Sequence, residues 1–143
     1  MHNIIPANAD CLIYNDYGDG DSRRFIKHIL RDVYWELVKG ENNINIGVSS
    51  ANSVFMATEL KEGYTSPSEW KQLEIEDVQS GQYFTIAKGD VLIFGTPNAP
   101  DEFTSTVEID KYFGADYTHL IMSVEILVDP RNRKSHHIEV KGE

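Results

Sequence analysis

Residues 23–38 read Arg-Arg-Phe-Ile-Lys-His-Ile-Leu-Arg-Asp-Val-Tyr-Trp-Glu-Leu-Val, and the way this stretch folds decides the class of the whole chain. Phe25, Ile26, Ile29, Leu30, Val33, Tyr34 and Leu37 recur at helical spacing. The same stretch is rich in Phe, Ile, Val, Tyr and Trp, which favour strands, and it has no convincing helix cap before Gly40. Pattern alone leaves helix and long strand open.

The flanking sequence reads as β. Residues 10–14, Asp-Cys-Leu-Ile-Tyr, form a first strand that ends in the Asn, Asp and Gly turn formers of residues 15–22. Residues 44–48 alternate, and residues 54–58 form a further strand after the turn-like 49–53. Ser66-Pro67-Ser68-Glu69 is a capping box with proline at the first helical position, so a short helix runs to about Leu73. Residues 83–86 and 91–94 flank Ala87-Lys88-Gly89-Asp90 and read as a hairpin. Residues 105–113 form a weak alternation or a short helix capped by Thr104 or Ser105 and closed by Gly114. Residues 118–128 form the longest apolar strand, with Leu120, Met122, Val124, Ile126 and Val128 on one face. After the polar loop 129–135, residues 136–140 return antiparallel. The expected fold is mainly β, a small antiparallel barrel or sandwich of about six to seven strands with one or two short helices, in a single domain over 1–143.

The 143 residues are enough to bury a core without disulfides. No apolar run approaches a membrane span, and the start, Met-His-Asn-Ile-Ile-Pro, lacks the pattern of a signal peptide. One cysteine, Cys11, excludes an internal disulfide framework and a multi-thiolate zinc site, and it fits a reducing compartment. The net charge of −10 argues against a free-standing DNA binder. The charge is uneven: residues 23–40 carry +3 and residues 130–143 carry +2, while residues 41–129 carry −11. Two short basic segments on an acidic body suit contact with the acidic surface of a neighbouring subunit.

No catalytic, cofactor or phosphate-binding signature stands out. Asp16, Asp19 and Asp21 do not match a calcium loop: counted from Asp16, the third and fifth positions are glycines, and counted from Asp19 the fifth is Arg23. His136 and His137 are adjacent, so on a strand they point to opposite faces. Cys11 reads as a buried small side chain. The expectation is no enzyme, no cofactor and no metal. Two rivals stay open: a small-ligand-binding β-barrel and a small hydrolase built on scattered Asp, Glu and His.

Several motifs occur in a familiar order: Leu-Ile-Tyr-Asn-x-Tyr at 12–17, Arg23-Arg24-x-Ile26, Val33-Tyr34-Trp35, and Ser50-Ala51-Asn52-Ser53-Val54. They are followed by Tyr64-x-x-Pro67-x-x-Trp70, Phe84-Thr85-Ile86-x-x-Gly89-Asp90, Ile121-Met122-Ser123-Val124 and His136-His137-Ile138-Glu139-Val140. Over most of its length the chain resembles small tailed-phage head and neck structural proteins of phages and prophages of Gram-positive hosts. Its C-terminal half is similar to head–tail stopper proteins. The resemblance implies a long strand, with a bulge, for residues 23–38. It also implies a barrel subunit of a homo-oligomeric neck ring in the virion, made in the host cytoplasm. Its neighbours would be other neck proteins on the portal and tail sides, with DNA passing through the lumen unread and no membrane involved. The longer 41–75 region and the acidic middle also suit a tail-completion or minor capsid protein. In a ring, Arg23, Arg24, Lys27 and Arg31, and Arg131, Arg133 and Lys134 at the last hairpin tip, are candidate interface residues. Their acidic counterparts are Asp16, Asp19 and Asp21, together with Glu74, Glu76 and Asp77. The competing role for the last tip is contact with DNA in the lumen.

Overall fold

The computed structural model describes residues 6–39, 52–128 and 136–143. The strand expected at 44–48, the first part of the turn expected at 49–53 and the basic tip Arg131, Arg133 and Lys134 lie outside the described residues, while Asn52 and Ser53 of that turn belong to a strand.

Residues 23–38 belong to a strand. β1 (Ala9–Tyr17) and β2 (Arg24–Lys39) form a long antiparallel pair. β3 (Asn52–Glu59) follows, then helices α1 (Pro67–Gln72) and α2 (Ile75–Gln79). Next come β4 (Val91–Phe94), the two-residue β5 (Glu102–Phe103), α3 (Thr106–Phe113), β6 (Thr118–Leu127) and β7 (His137–Gly142). The strand order is β1-β4-β6-β7-β3-β2, and β2 pairs back to β1. This closes a six-stranded antiparallel barrel, with β5 added outside on the first half of β2. The fold is thus mainly β, as expected from the alternating segments.

β2 serves two neighbours in turn. Its first half pairs with β1 up to Val33, and its second half, Tyr34 to Lys39, pairs with β3. The change of direction is a bulge. Cys11 faces Leu30 and Ala9 faces Val33, so β2 spends one residue more than β1 across Arg31 and Asp32. Asp32 has φ 56, and the Asp10 carboxylate holds the bulge by accepting from the Asp32 N–H at 2.9 Å and from Arg31 at 3.1 Å. Beyond β1, Asn8 extends the ladder by side chain: its Oδ1 accepts from the Trp35 N–H and its Nδ2 donates to the Trp35 carbonyl.

The barrel interior is filled by Cys11, Ile13, Leu30, Val33, Trp35, Val54, Met56, Phe84, Ile86, Leu92, Ile121, Ile138 and Val140. The outer face of β1 and β4 is covered as well. There Leu12, Tyr14, Phe25, Val91 and Ile93 pack under Phe103 and Ile109. β1 is therefore buried on both faces, which is why Cys11 to Asn15 are all buried and its apolar run is continuous rather than alternating. A third cluster, Ile26, Trp70 and Val78, seats α1 and α2 on the barrel.

The helix signals at Ser66 and Ser105 hold. The Ser66 hydroxyl accepts from the Glu69 N–H, and Glu69 reaches back to the Ser66 N–H, a complete capping box. Ser105 caps α3 by accepting from the Glu108 N–H, and Gly114 ends it. α2 is an additional short helix that the sequence reading did not anticipate.

Three expectations need correction. β1 does not stop at Tyr14. Asn15 and Asp16 stay in the ladder opposite Ile26 and Phe25, and the turn begins at Gly18. Gly18 has φ 81, and a Cβ there would lie 2.9 Å from the Ser22 carbonyl oxygen, so the tight turn needs glycine.

Residues 83–86 are not half of a hairpin with Val91–Phe94. Phe84 instead bonds backbone to backbone with Gly63 and Thr65, while the Thr85 backbone is satisfied by the Asn15 side chain. β4 takes β1 and β6 as its neighbours.

The even-numbered apolar residues of β6 do not share one face. Ile121 faces Gly142 and Ser123 faces Lys141, so Met122 is the extra residue of a bulge. The side-chain phase reverses there. His119 and Ile121 point inward before it; after it Val124 and Ile126 lie on the core-facing side, opposite the buried Val140 and Ile138, with Ile126 at the strand's end exposed like Leu120 and Met122.

Candidate functional site: a braced polar cleft and two exposed strand edges

The basic residues of the first segment, with Asp16, lie on the β1–β2 hairpin and find partners in their own chain. Arg23 makes a two-pronged contact with Asp16 at 2.8 and 3.0 Å. Arg24 meets Glu102 at 3.4 Å, Lys27 meets Asp101 at 3.1 Å, and Arg31 meets Asp10 at 3.1 Å. Asp19 and Asp21 sit on the exposed turn, where the Asp19 carbonyl accepts from Ser22. Glu74 precedes α2, and Glu76 and Asp77 occupy its first turn. Exposed pairs of this kind contribute about 0–1 kcal/mol each, so they orient the hairpin more than they stabilise it.

Beside this hairpin lies a polar cleft of about 580 Å³, lined by Asp16, Asp19, Trp70, Lys71, Lys88 and Asp90 among others. Asp90 is its deepest charged group, only 2% exposed. Both of its oxygens are engaged. Oδ1 accepts from the Asp16 N–H at 2.9 Å, and Oδ2 accepts from Asn15 Nδ2 at 2.8 Å and from the Ala87 N–H at 3.0 Å. Burial pushes the Asp90 carboxyl up to about 7, against the pull of these donors, which favour the ionised form. Asn15 carries the network onward: Nδ2 also donates to the Thr85 carbonyl at 2.6 Å, and Oδ1 accepts from the Thr85 N–H at 3.2 Å.

Asp16 is held from every side. Its N–H goes to Asp90, its carbonyl accepts from Trp70 Nε1 at 3.0 Å, and its carboxylate takes Arg23. Tyr17 continues the brace, donating from its hydroxyl to the Leu73 carbonyl and meeting Trp70 edge to face. Both oxygens of Asp90 are engaged by backbone or amide donors. The group acts as a strut between β1 and the 85–90 turn. The sequence reading placed Asp90 only in a hairpin turn and did not connect it with Asn15, 75 residues away in the chain. The one local signal was the polar Asn15 after an apolar strand.

The opposite side of the barrel has different chemistry. There β2, β3, β7 and β6 form a four-stranded sheet in that order. Apolar side chains are exposed along its two outer strands: Leu37 (54%) and Val38 on β2, Met122 and Ile126 (47%) on β6, and Val128 just beyond β6. A groove of about 560 Å³ at one end is lined by Val38, Phe55, Met122 and Lys141 among others. Among the described residues the barrel interior is taken up by side chains, and the two clefts lie on the outside of the barrel.

No curated protein and no solved structure matches the chain. A family model described as a family of unknown function, DUF6751, matches residues 5–143. That match spans both the braced hairpin and the four-stranded side of the barrel, and the chain belongs to the DUF6751 family.

Proposed function

We propose that the chain is a structural, non-catalytic subunit of a bacteriophage neck ring of the stopper or head-completion type, joining the portal side of the head to the tail. The observation that carries this reading is the set of exposed apolar side chains at the two edges of one sheet, Leu37 and Val38 on β2 and Met122 and Ile126 on β6, with Val128 just beyond β6. Exposed apolar groups on two strand edges of opposite direction suit contact with a further copy of the chain. The motifs behind the resemblance also fall on barrel parts: Ile121 to Val124 on β6, Ile138 to Val140 on β7, and Gly89-Asp90 at the entry to β4. A ring subunit needs a rigid body and self-complementary sides rather than a reactive centre. Among the described residues, the carboxylate that burial raises most, Asp90, is engaged on both oxygens by donors of its own chain. An acidic body suits a channel wall that does not retain DNA phosphate.

Deleting the gene from a prophage that carries it, then inducing particles, tests the reading. Filled or leaking heads and free tails should accumulate unjoined, with joined particles falling at least about a hundredfold and returning on complementation. Joined, infectious particles at normal yield would contradict it.

A further inference from the structure

Among the described residues, the four-stranded side of the barrel has two edges with no strand partner. Among the described residues, the second half of β2, from Glu36 on, pairs with β3 alone, and β6 beyond Met122 pairs with β7 alone. The orientation of the free backbone groups follows from the neighbouring bonds. Trp35 exchanges bonds with the Asn8 side chain, on the side away from β3. Strand alternation therefore aims the Leu37 N–H and carbonyl the same way, outward from the sheet. On β7, Glu143 exchanges both backbone bonds with Leu120, so Lys141, Glu139 and His137 face β6 and engage Ser123, Glu125 and Leu127. The backbone groups of Val124 and Ile126 are thus aimed away from β7, at the open edge.

Each strand in the order β2-β3-β7-β6 is antiparallel to the next, so the two edge strands run in opposite directions. A copy of the chain related by rotation about an axis roughly along the strands brings its β2 edge against the β6 edge of its neighbour, antiparallel. The contact is head to tail and repeats around the axis, a heterologous geometry that closes a ring when the rotation divides a full turn. The open part of β6, Ser123 to Leu127, lies beyond the Met122 bulge and has no proline, no lysine and a single charge, while the open part of β2 carries Glu36 and Lys39 beside Leu37 and Val38.

We infer that the subunits join by strand addition, β6 of one copy to β2 of the next, so that the four-stranded sheets run on into one continuous sheet around the ring. This rests on the ring reading above and names the surface that makes the ring. The register is fixed by two conditions. Leu37, with its outward backbone groups, must oppose Val124 or Ile126. Setting it opposite Val124 places Glu125 against Glu36, two like charges. Setting it opposite Ile126 pairs two exposed apolar side chains that both point to the inner face, and it sets Glu125 against Val38.

Cysteine pairs test this on particles and on concentrated purified protein, with melting curves to verify that each variant folds. Cys11 is fully buried and does not interfere. Glu125→Cys combined with Val38→Cys should, on mild oxidation, give a ladder of dimer, trimer and higher species on a non-reducing gel, rising to a closed ring. Glu125→Cys with Glu36→Cys should give at least tenfold less, because its partners are displaced by one pair of residues. Dimers alone from Glu125→Cys by itself would mean two-fold β6-to-β6 pairing and overturn the proposal. So would the lack of any ladder in both samples. A ladder supports the edge pairing wherever in a virion the assembly sits, so failure of the neck assignment leaves this result standing. Particles whose necks hold the chain but never cross-link sink the edge pairing and leave the neck assignment intact.

Discussion

Replacing Trp70 with alanine should lower the unfolding free energy by about 4 kcal/mol, the largest single loss expected in the chain. Trp70 is 2% exposed and forms the centre of the cluster that seats α1 and α2, between Ile26 and Val78. Truncation removes most of an indole from a packed site and leaves a cavity that two short helices cannot close by themselves. It also strips the Asp16 carbonyl of the Nε1–H donor at 3.0 Å. α1 and α2 have six and five residues, too short to hold without this anchor. Trp70→Phe, which keeps much of the apolar area and drops the donor, should lose about 1–2 kcal/mol. Denaturant melts of the three proteins measure both numbers. A loss below about 1.5 kcal/mol for the alanine variant would mean that the helices do not depend on this contact.

Asp90→Ala should cost about 3 kcal/mol by the same measurement. The carboxylate is the common acceptor for Asn15 Nδ2, the Asp16 N–H and the Ala87 N–H, and its removal leaves three donors short of a partner in a buried place. Part of the loss is offset because a costly buried charge leaves with it. The pH dependence carries the signature of that charge. Burial raises the folded-state pKa from the ordinary 3.8 to about 7. Between those values the folded chain holds a proton that the unfolded chain has released. Stability from this group is therefore complete below about pH 4 and is lost as the pH rises to about 7. The slope is at most about 1.4 kcal/mol per pH unit. The stability of the natural chain minus that of Asp90→Asn should fall over that window. A difference that rises from pH 4 to 7 would show that the three donors outweigh burial and that the folded pKa is depressed.

The helix-like spacing of residues 23–38 and their strand structure are reconciled by the bulge. Leu30 and Val33 both enter the core three residues apart because Arg31 and Asp32 take up the extra step. Phe25 and Ile26 are both buried because β5 and α3 cover one face of this half of the strand, and α1 and α2 the other. A helical pattern in sequence arose from a strand wrapped on two faces and shifted in phase. Residue types alone pointed the right way, and spacing alone did not.

Elements with their own local chemistry were legible. The Ser66 capping box and Gly114 closure needed only neighbours within four residues. What stayed hidden depended on distant partners. Thr85 leaves the expected hairpin because an Asn side chain 70 residues earlier supplies its backbone bonds. The Met122 bulge, which turns half of an apolar strand outward, shows only in the pairing with Lys141 and Gly142. Charge was visible by segment, but its use was not. Arg23, Arg24, Lys27 and Arg31 looked available to a neighbour, and each meets an acid of its own chain. The exposed apolar edges emerged only once the register was known.

The most direct test of the neck-ring account is to locate the chain in an intact particle. Induced virions carrying a small tag at the C-terminus, beyond Glu143, are labelled and reconstructed by electron microscopy with and without the label. The account predicts one ring of label density at the neck, between portal and tail, with the barrel fitting the ring repeat. Label over the capsid shell, along the tail tube, or missing from purified virions would contradict it.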